Sequence, residues 1–353
     1  MVIFNMTKKL SVKFPKLKLS KFARVDRVLF IAILVLTLFG LLSVFNASSV
    51  VAFRDFGDQY HFVKDQAVFA LIGIIVMCVF SIIDYHIWYK AAIPLLVITL
   101  IFLVAVFIPG LGIKVLGAKR WINLGFFSLQ PTEFAKLALS IYLSAWFTFK
   151  EKGRLAPFIF LLILVLGLVI LQPDLGTAVI IAGTAGVLYF ISGANIMHFL
   201  LLLPVGFISV SILAFIVPYR LARITTFLNP QQDPLGSSYH IRQILIALGA
   251  GGWLVVGLCK SRQKYEYLPE ATTDYIFEKI AEEIGFLGSL LLLIGFMIII
   301  YRAFIISRRA PDRFGQLLAG GIGAWFAIQS VINLGAMVAL VPLTGVPLPL
   351  ISY

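Results

Sequence analysis

The chain has 353 residues, of which 61% are hydrophobic and 13% charged, and it carries a formal net charge of +13. With a mean hydropathy of +1.02 it lacks the polar side chains needed to cover a water-soluble globule, so the composition excludes a soluble enzyme and specifies a polytopic membrane protein. The positive charge is no argument for nucleic acid, because much of it lies in an N-terminal tail and short loops where attraction to anionic lipid accounts for it.

Residues 1–27 form a basic tail, with Leu10, Val12, Phe14, Leu17 and Leu19 set among lysines, the pattern of a disordered or membrane-surface arm. Nine apolar runs of spanning length follow, at 28–49, 66–83, 91–108, 133–149, 156–172, 175–192, 198–217, 284–304 and 318–342. The first is long and has no small-residue cleavage site, so it reads as a retained helix rather than a signal peptide. The chain therefore divides into the tail, spans one to seven (28–217), a long polar loop (218–283), spans eight and nine (284–342) and the start of a further loop (343–353).

Lysine and arginine set the orientation. If the N-terminus is cytoplasmic, the short outer loops hold only Arg54, Lys64, Lys114, Lys119 and Arg120, while the inner segments hold the basic tail, Lys90, Lys150, Lys152, Arg154, Arg302, Arg308, Arg309 and Arg313. The N-terminus is accordingly placed inside and the 218–283 loop outside. That loop has aromatic, glycine-bearing and amphipathic stretches rather than the composition of a disordered linker, so it is expected to fold against the membrane surface. Cys78 and Cys259, with His61, His86, His198 and His240, have no metal-ligand spacing, and no metal site is expected.

One internal echo lies at the outer face. Leu129-Gln130-Pro131 precedes Thr132-Glu133, and Leu171-Gln172-Pro173 precedes Asp174-Leu175, so Thr132 and Asp174 are each placed to cap the helix that follows. Asp174 reads foremost as that cap. Glu133 and Lys136 stand three apart on one helix face, either as an ion pair anchoring the helix end or as part of a functional polar site. Lys119-Arg120-Trp121 is either an interfacial anchor or a clamp for phosphate or sugar. Gly249 to Gly252 has no Gly-Lys-Ser/Thr continuation and is not a nucleotide loop.

The stretch YEYLPEATTDYIF (265–277) places Glu266, Glu270 and Asp274 four residues apart, and Glu278 and Glu282 continue the spacing into the eighth span. A solvated acidic helix face is the plain reading. The surrounding Tyr265, Tyr267, Leu268, Tyr275, Ile276 and Phe277 also allow a partly desolvated carboxylate suited to general-base work.

Several motifs in order, AKRWINLG (118–125), LQPTEFAKLA (129–138), LQPDLGTA (171–178), RITTFLNPQQDPLGSSYHIRQ (223–243), SRQKYEYLPEATTDYIF (261–277), AEEIGFLG (281–288) and VPLTGVPLPLISY (341–353), make the chain resemble the SEDS family of FtsW, RodA and SpoVE, with the division branch favoured. The resemblance implies an all-α polytopic bundle with about nine of ten transmembrane helices present, the chain stopping before the tenth. It implies a multi-pass protein of the bacterial cytoplasmic membrane that polymerises lipid II into glycan strands, an inverting glycosyl transfer releasing undecaprenyl diphosphate. A class B penicillin-binding protein and other divisome or elongasome membrane proteins are the implied partners. The family's catalytic aspartate falls on Asp274. Arg120, Glu133 and Lys136 match cavity positions, Arg223 and Lys264 are further substrate-binding candidates, and Glu266, Glu270 and Thr272 belong to control or positioning of the loop. A divalent cation, Mg or Mn, is an allowed accessory. Thr272 stands where the family has histidine, and Glu278 and Lys279 where it has small apolar residues. A lipid II flippase and a non-catalytic divisome scaffold are the alternatives.

Overall fold

The computed structural model describes residues 25–115, 118–123, 125, 128–149, 153–229 and 276–352. The described residues form ten helices and one small sheet: α1 (Arg27–Phe56), α2 (His61–Ile82), α3 (His86–Ala105), α4 (Pro131–Phe147), α5 (Leu155–Leu171), α6 (Leu175–Ile191), α7 (Ile196–Ile216), α8 (Pro218–Leu228), α9 (Ile276–Arg309) and α10 (Arg313–Met337). Six of these, α1, α2, α3, α7, α9 and α10, are long and apolar enough to cross a membrane. The helices α4, α5 and α6 have 17 residues each, about 26 Å at 1.5 Å per residue, the lower limit for a span. Each of the nine apolar runs falls on one of these nine helices.

Two boundaries shift for physical reasons. The helix of the eighth span, α9, begins at Ile276 rather than 284, but it is broken at Gly285, whose φ of 65° and ψ of −168° no helix contains. The long apolar limb therefore starts after Gly285, and the preceding turns form a separate docking piece. The ninth span, α10, ends at Met337, and the residues after it run as a non-helical strap, 338–352, that opens and closes in turns and buries Val346, Leu348 and Ile351. Proline at 342, 347 and 349 removes backbone donors and opposes helix continuation, so the strap can be buried with fewer groups to satisfy.

The centre of the bundle is α4, α6 and α10. Thirteen of the 17 residues of α4 are buried, and its Ser140, Ser144 and Thr148 hydroxyls donate to the carbonyls of Lys136, Ser140 and Ser144 at 2.7, 2.6 and 2.8 Å. Hydroxyls satisfied within their own helix, together with alanine, let neighbouring helices approach closely without leaving an unpaired donor. The helix α10 presents a small-residue face, Gly320, Gly321, Gly323 and Ala324, to its neighbours. By contrast, α2 buries no residue and α7 only Ala214, so their apolar surfaces are left for lipid.

The two ends of the bundle differ. At one, Asp26 caps α1 by accepting from Leu29 N at 3.0 Å and pairs with Arg302 of α9. Nearby loops join His86 to Asp84 at 2.6 Å and to Asp312, the α10 cap, at 3.4 Å. The other end carries an antiparallel sheet absent from the all-helical expectation: β1 (Gly112–Val115), β2 (Ala118–Asn123) and β3 (Ser128–Leu129), in the order β1-β2-β3. Its register pairs Ile113 with Trp121 and Ile122 with Leu129, and Gly125 turns between β2 and β3 with φ 86°.

Candidate active site

The sheet end gathers the residues that the sequence singled out and that the structure describes. Arg120 projects from β2 onto the α5–α6 turn, where Nε donates to Gln172 O at 3.2 Å and Nη2 to Pro173 O. Gln172 is fully buried and donates to Leu103 O at the end of α3, at 2.9 Å. Asp174 caps α6, accepting from Thr177 N at 3.1 Å, and Gln130 reaches it from the start of α4 at 3.5 Å. The two echoed motifs thus meet in space through Gln130 and Asp174. They do not cap alike: Gln130 holds the cap position of α4 with Pro131 at its first turn, and the buried Thr132 hydroxyl has no partner among the described residues.

Glu133 and Lys136 form the expected i,i+3 pair at 2.7 Å, but very unequally exposed, the Glu133 side chain 40% and the Lys136 side chain 1%. Lys136 lies five residues into α4, about 8 Å along its axis. Burying an ammonium this completely is tolerable only with several partners, and the structure supplies them. Its Nζ donates to Gln329 Oε1 of α10 at 2.8 Å and stands 5.1 Å from the Trp325 ring centre. Trp325 Nε1 donates to the same Gln329 oxygen at 2.8 Å, and Gln329 Nε2 donates to Pro347 O at 3.1 Å. Lys136, Ser140 and Thr184 also border a cavity with about 10 Å³ open to the centre of a water-sized sphere, room for about one water and far too little for a sugar.

The strap covers this network. Asn333 donates to Val346 O at 2.6 Å, Arg223 of α8 to Leu343 O at 3.1 Å, and Gln66 to Ser352 O at 3.4 Å. Leu348 and Ile351 are buried against α1 and the docking piece of α9. There Phe277, Ile280, Ala281, Glu282 and Glu283 are all buried, and Asn46 of α1 donates to Glu283. The solvated reading of the acidic face therefore does not hold at Glu282.

Asp274, Lys264, Glu266, Glu270 and Thr272 lie outside the described residues. Of the rest, Arg120, Glu133, Lys136 and Arg223 share the sheet end, with Arg120 and Arg223 engaged on carbonyls and Lys136 sealed beneath Glu133. Sequence reasoning missed Gln329, Trp325 and Asn333. Their signal was present: two amides four apart on one face of an apolar span, which the membrane makes costly unless they have partners. Among the described residues no group of three or more His, Cys, Asp or Glu could hold a metal ion.

A bundle of spanning helices with a charged, hydrogen-bonded end closed by a non-helical strap defines a multi-pass membrane protein with its polar site at one surface. The family model for FtsW, RodA and SpoVE, described as cell cycle protein, matches residues 26–353. The probable peptidoglycan glycosyltransferase FtsW of Trichlorobacter lovleyi is 41% identical over 343 residues, covering 94% of this chain and 89% of the relative. Stage V sporulation protein E of Bacillus subtilis is 41% identical over 334 residues, covering 93% and 91%. Among solved structures, a chain from a peptidoglycan synthase complex that coordinates polymerization and crosslinking superimposes with a TM-score of 0.76 at 27% identity, covering 92% of this chain and 90% of its own. The rod shape determining protein RodA of Thermus thermophilus superimposes at 0.67 and 25% identity, covering 92% and 89%. The chain belongs to the FtsW/RodA/SpoVE family.

Proposed function

We propose that this protein polymerises lipid II into peptidoglycan strands at the outer surface of the bacterial cytoplasmic membrane, beside a class B penicillin-binding protein that crosslinks the product. The observation that carries this reading is the 41% identity to a probable peptidoglycan glycosyltransferase across 94% of the chain, coinciding with a polar end built from the matching motifs. The charge distribution of the loops supports a cytoplasmic N-terminus, which turns the sheet end outward.

In this reaction Asp274 takes the proton from the GlcNAc 4-hydroxyl of the acceptor, which attacks the anomeric carbon of MurNAc on the donor strand. The bond to the pyrophosphate breaks with inversion and undecaprenyl diphosphate leaves. Positive charge stabilises that leaving group, and Arg223 and Lys264 are the cations assigned to it, with a divalent cation as accessory. In this reading Arg120 holds the α5–α6 turn, which the two carbonyls its guanidinium engages support. Lys136 fixes Glu133, the half-exposed carboxylate that meets the substrate. Glu266, Glu270 and Thr272 position the loop that carries Asp274.

A flippase would need a substrate-sized polar path at mid-membrane; the names of the relatives and the likeness to a synthase complex favour polymerisation over it. The test gives fluorescent lipid II to the purified full chain with its partner's transpeptidase disabled. Long glycan is expected; lipid movement across vesicles without polymer would establish the flippase, and neither product would leave a scaffold.

A further inference from the structure

Gln329 sits on α10, 193 residues from Lys136 in sequence, and the resemblance assigns it no role. Its side chain is buried and every polar atom of its amide is used. One oxygen accepts from both Lys136 Nζ and Trp325 Nε1, each at 2.8 Å, and the nitrogen donates to Pro347 O at 3.1 Å. Because the strap carbonyl accepts and cannot donate, the amide has one orientation only, with its oxygen toward the ammonium.

An ammonium has three donors. Glu133 at 2.7 Å takes one and Gln329 takes a second from the opposite helix, while the Trp325 ring bounds a further side. Without the Gln329 oxygen, the buried cation has one fixed acceptor left, on its own helix one turn away. It would follow Glu133 rather than hold it. The carboxylate at the surface would then lose its fixed base, although none of the atoms facing the substrate had changed.

We infer that Gln329 is a positioning residue: it anchors Lys136 across the bundle and through it sets the place of the Glu133 carboxylate. The inference rests on the proposed role of the Glu133–Lys136 pair in substrate binding. The amide's second bond extends the chain of contacts to the strap, so the seating of Pro347 selects the amide orientation that Lys136 needs.

The test is a double-mutant cycle on glycan polymerisation by the full chain with its partner, using fluorescent lipid II and reading kcat and KM separately. Gln329→Met keeps side-chain length and bulk while removing the acceptor, and is expected to lower kcat/KM about tenfold, the scale of one hydrogen bond to a charged group. Lys136→Met alone should lower it at least as much. If Gln329 acts through Lys136, the double variant is no worse than Lys136→Met, within about twofold. Multiplying losses would overturn the inference, because a merely structural glutamine weakens the enzyme independently of Lys136.

Should Gln329→Met fail to assemble, Gln329→Glu keeps an oxygen for Lys136 and Trp325 and loses only the donor to Pro347. With Lys136 still anchored, that variant is expected to polymerise with Glu133 in place, so that adding Glu133→Gln lowers its kcat/KM by the same factor as in the parent, within about twofold; loss of that sensitivity would contradict the inference. Wild-type turnover by Gln329→Met beside an impaired Lys136→Met would sink this inference alone. Wild-type turnover by Lys136→Met would instead remove the role proposed for the pair, and this inference with it.

Discussion

Arg120 offers a clean separation between holding the fold and holding the substrate. Its guanidinium donates to two successive carbonyls, Gln172 O and Pro173 O, at the turn whose next residue, Asp174, caps α6. Replacing it by alanine removes two charge-assisted hydrogen bonds, each contributing about 1.5–3 kcal/mol when buried. Arg120 is only partly buried, so screening reduces the sum to about 2–4 kcal/mol. In a chain of 353 residues that corresponds to a fall in Tm on the order of 3–5 °C. Arg120→Lys, whose point charge reaches one carbonyl more readily than two, should fall between. The assay is thermal unfolding of the detergent-purified protein, alongside polymerisation at a temperature where both variants remain folded. An Arg120→Ala protein with unchanged Tm and abolished polymerisation would refute the clamp and return Arg120 to the substrate.

Three further outcomes follow from the geometry. A Cβ on Gly40 would stand 2.4 Å from Leu350 O and 2.9 Å from Ile351 Cα; these are backbone atoms that cannot rotate away, so Gly40→Ala should unseat the strap and cost at least about 1–3 kcal/mol, read as faster hydrogen exchange across 343–352. Gly285 holds φ 65° and ψ −168°, a region essentially reserved for glycine, so Gly285→Ala should misplace the docking piece of α9 and depress polymerisation and thermal stability together; a neutral result would show that the break is dispensable. At the opposite end, the hydrogen bond from Arg302 lowers the Asp26 pKa, against the opposing effect of burial. Its folded value lies below the unfolded value of about 3.9, so its contribution is present above about pH 4 and lost as pH falls through the lowered value. Tm measured between pH 3 and 7 should show this acid loss in the parent and less of it in Asp26→Asn.

Much of the architecture was legible because apolar length is a local property. All nine runs fall on helices, and even the eighth run's start at 284 marks the real break at Gly285. The Asp174 cap and the Glu133–Lys136 pair were legible for the same reason, since their partners lie within one turn. The small sheet escaped notice because its strands are two to six residues long, too short for period-two alternation to stand out. Residues 338–342 were read into the ninth run because their apolar character continues it without interruption; 343–353 was read as loop, and its seating on the bundle escaped because its partners, Asn333, Arg223 and Gln66, are not set by local sequence. Gln329, Trp325 and Asn333 find their partners through helix packing and the strap, which no local pattern in one sequence specifies.

The central claim is that a carboxylate at residue 274 performs the proton transfer of glycan polymerisation. The direct measurement is single-turnover polymerisation of fluorescent lipid II by Asp274→Ala and the parent chain, each with its transpeptidase-disabled partner. A rate lower by about 10²- to 10⁴-fold, in a variant that inserts and associates normally, is the predicted result; polymer formed at the parental rate would contradict the account.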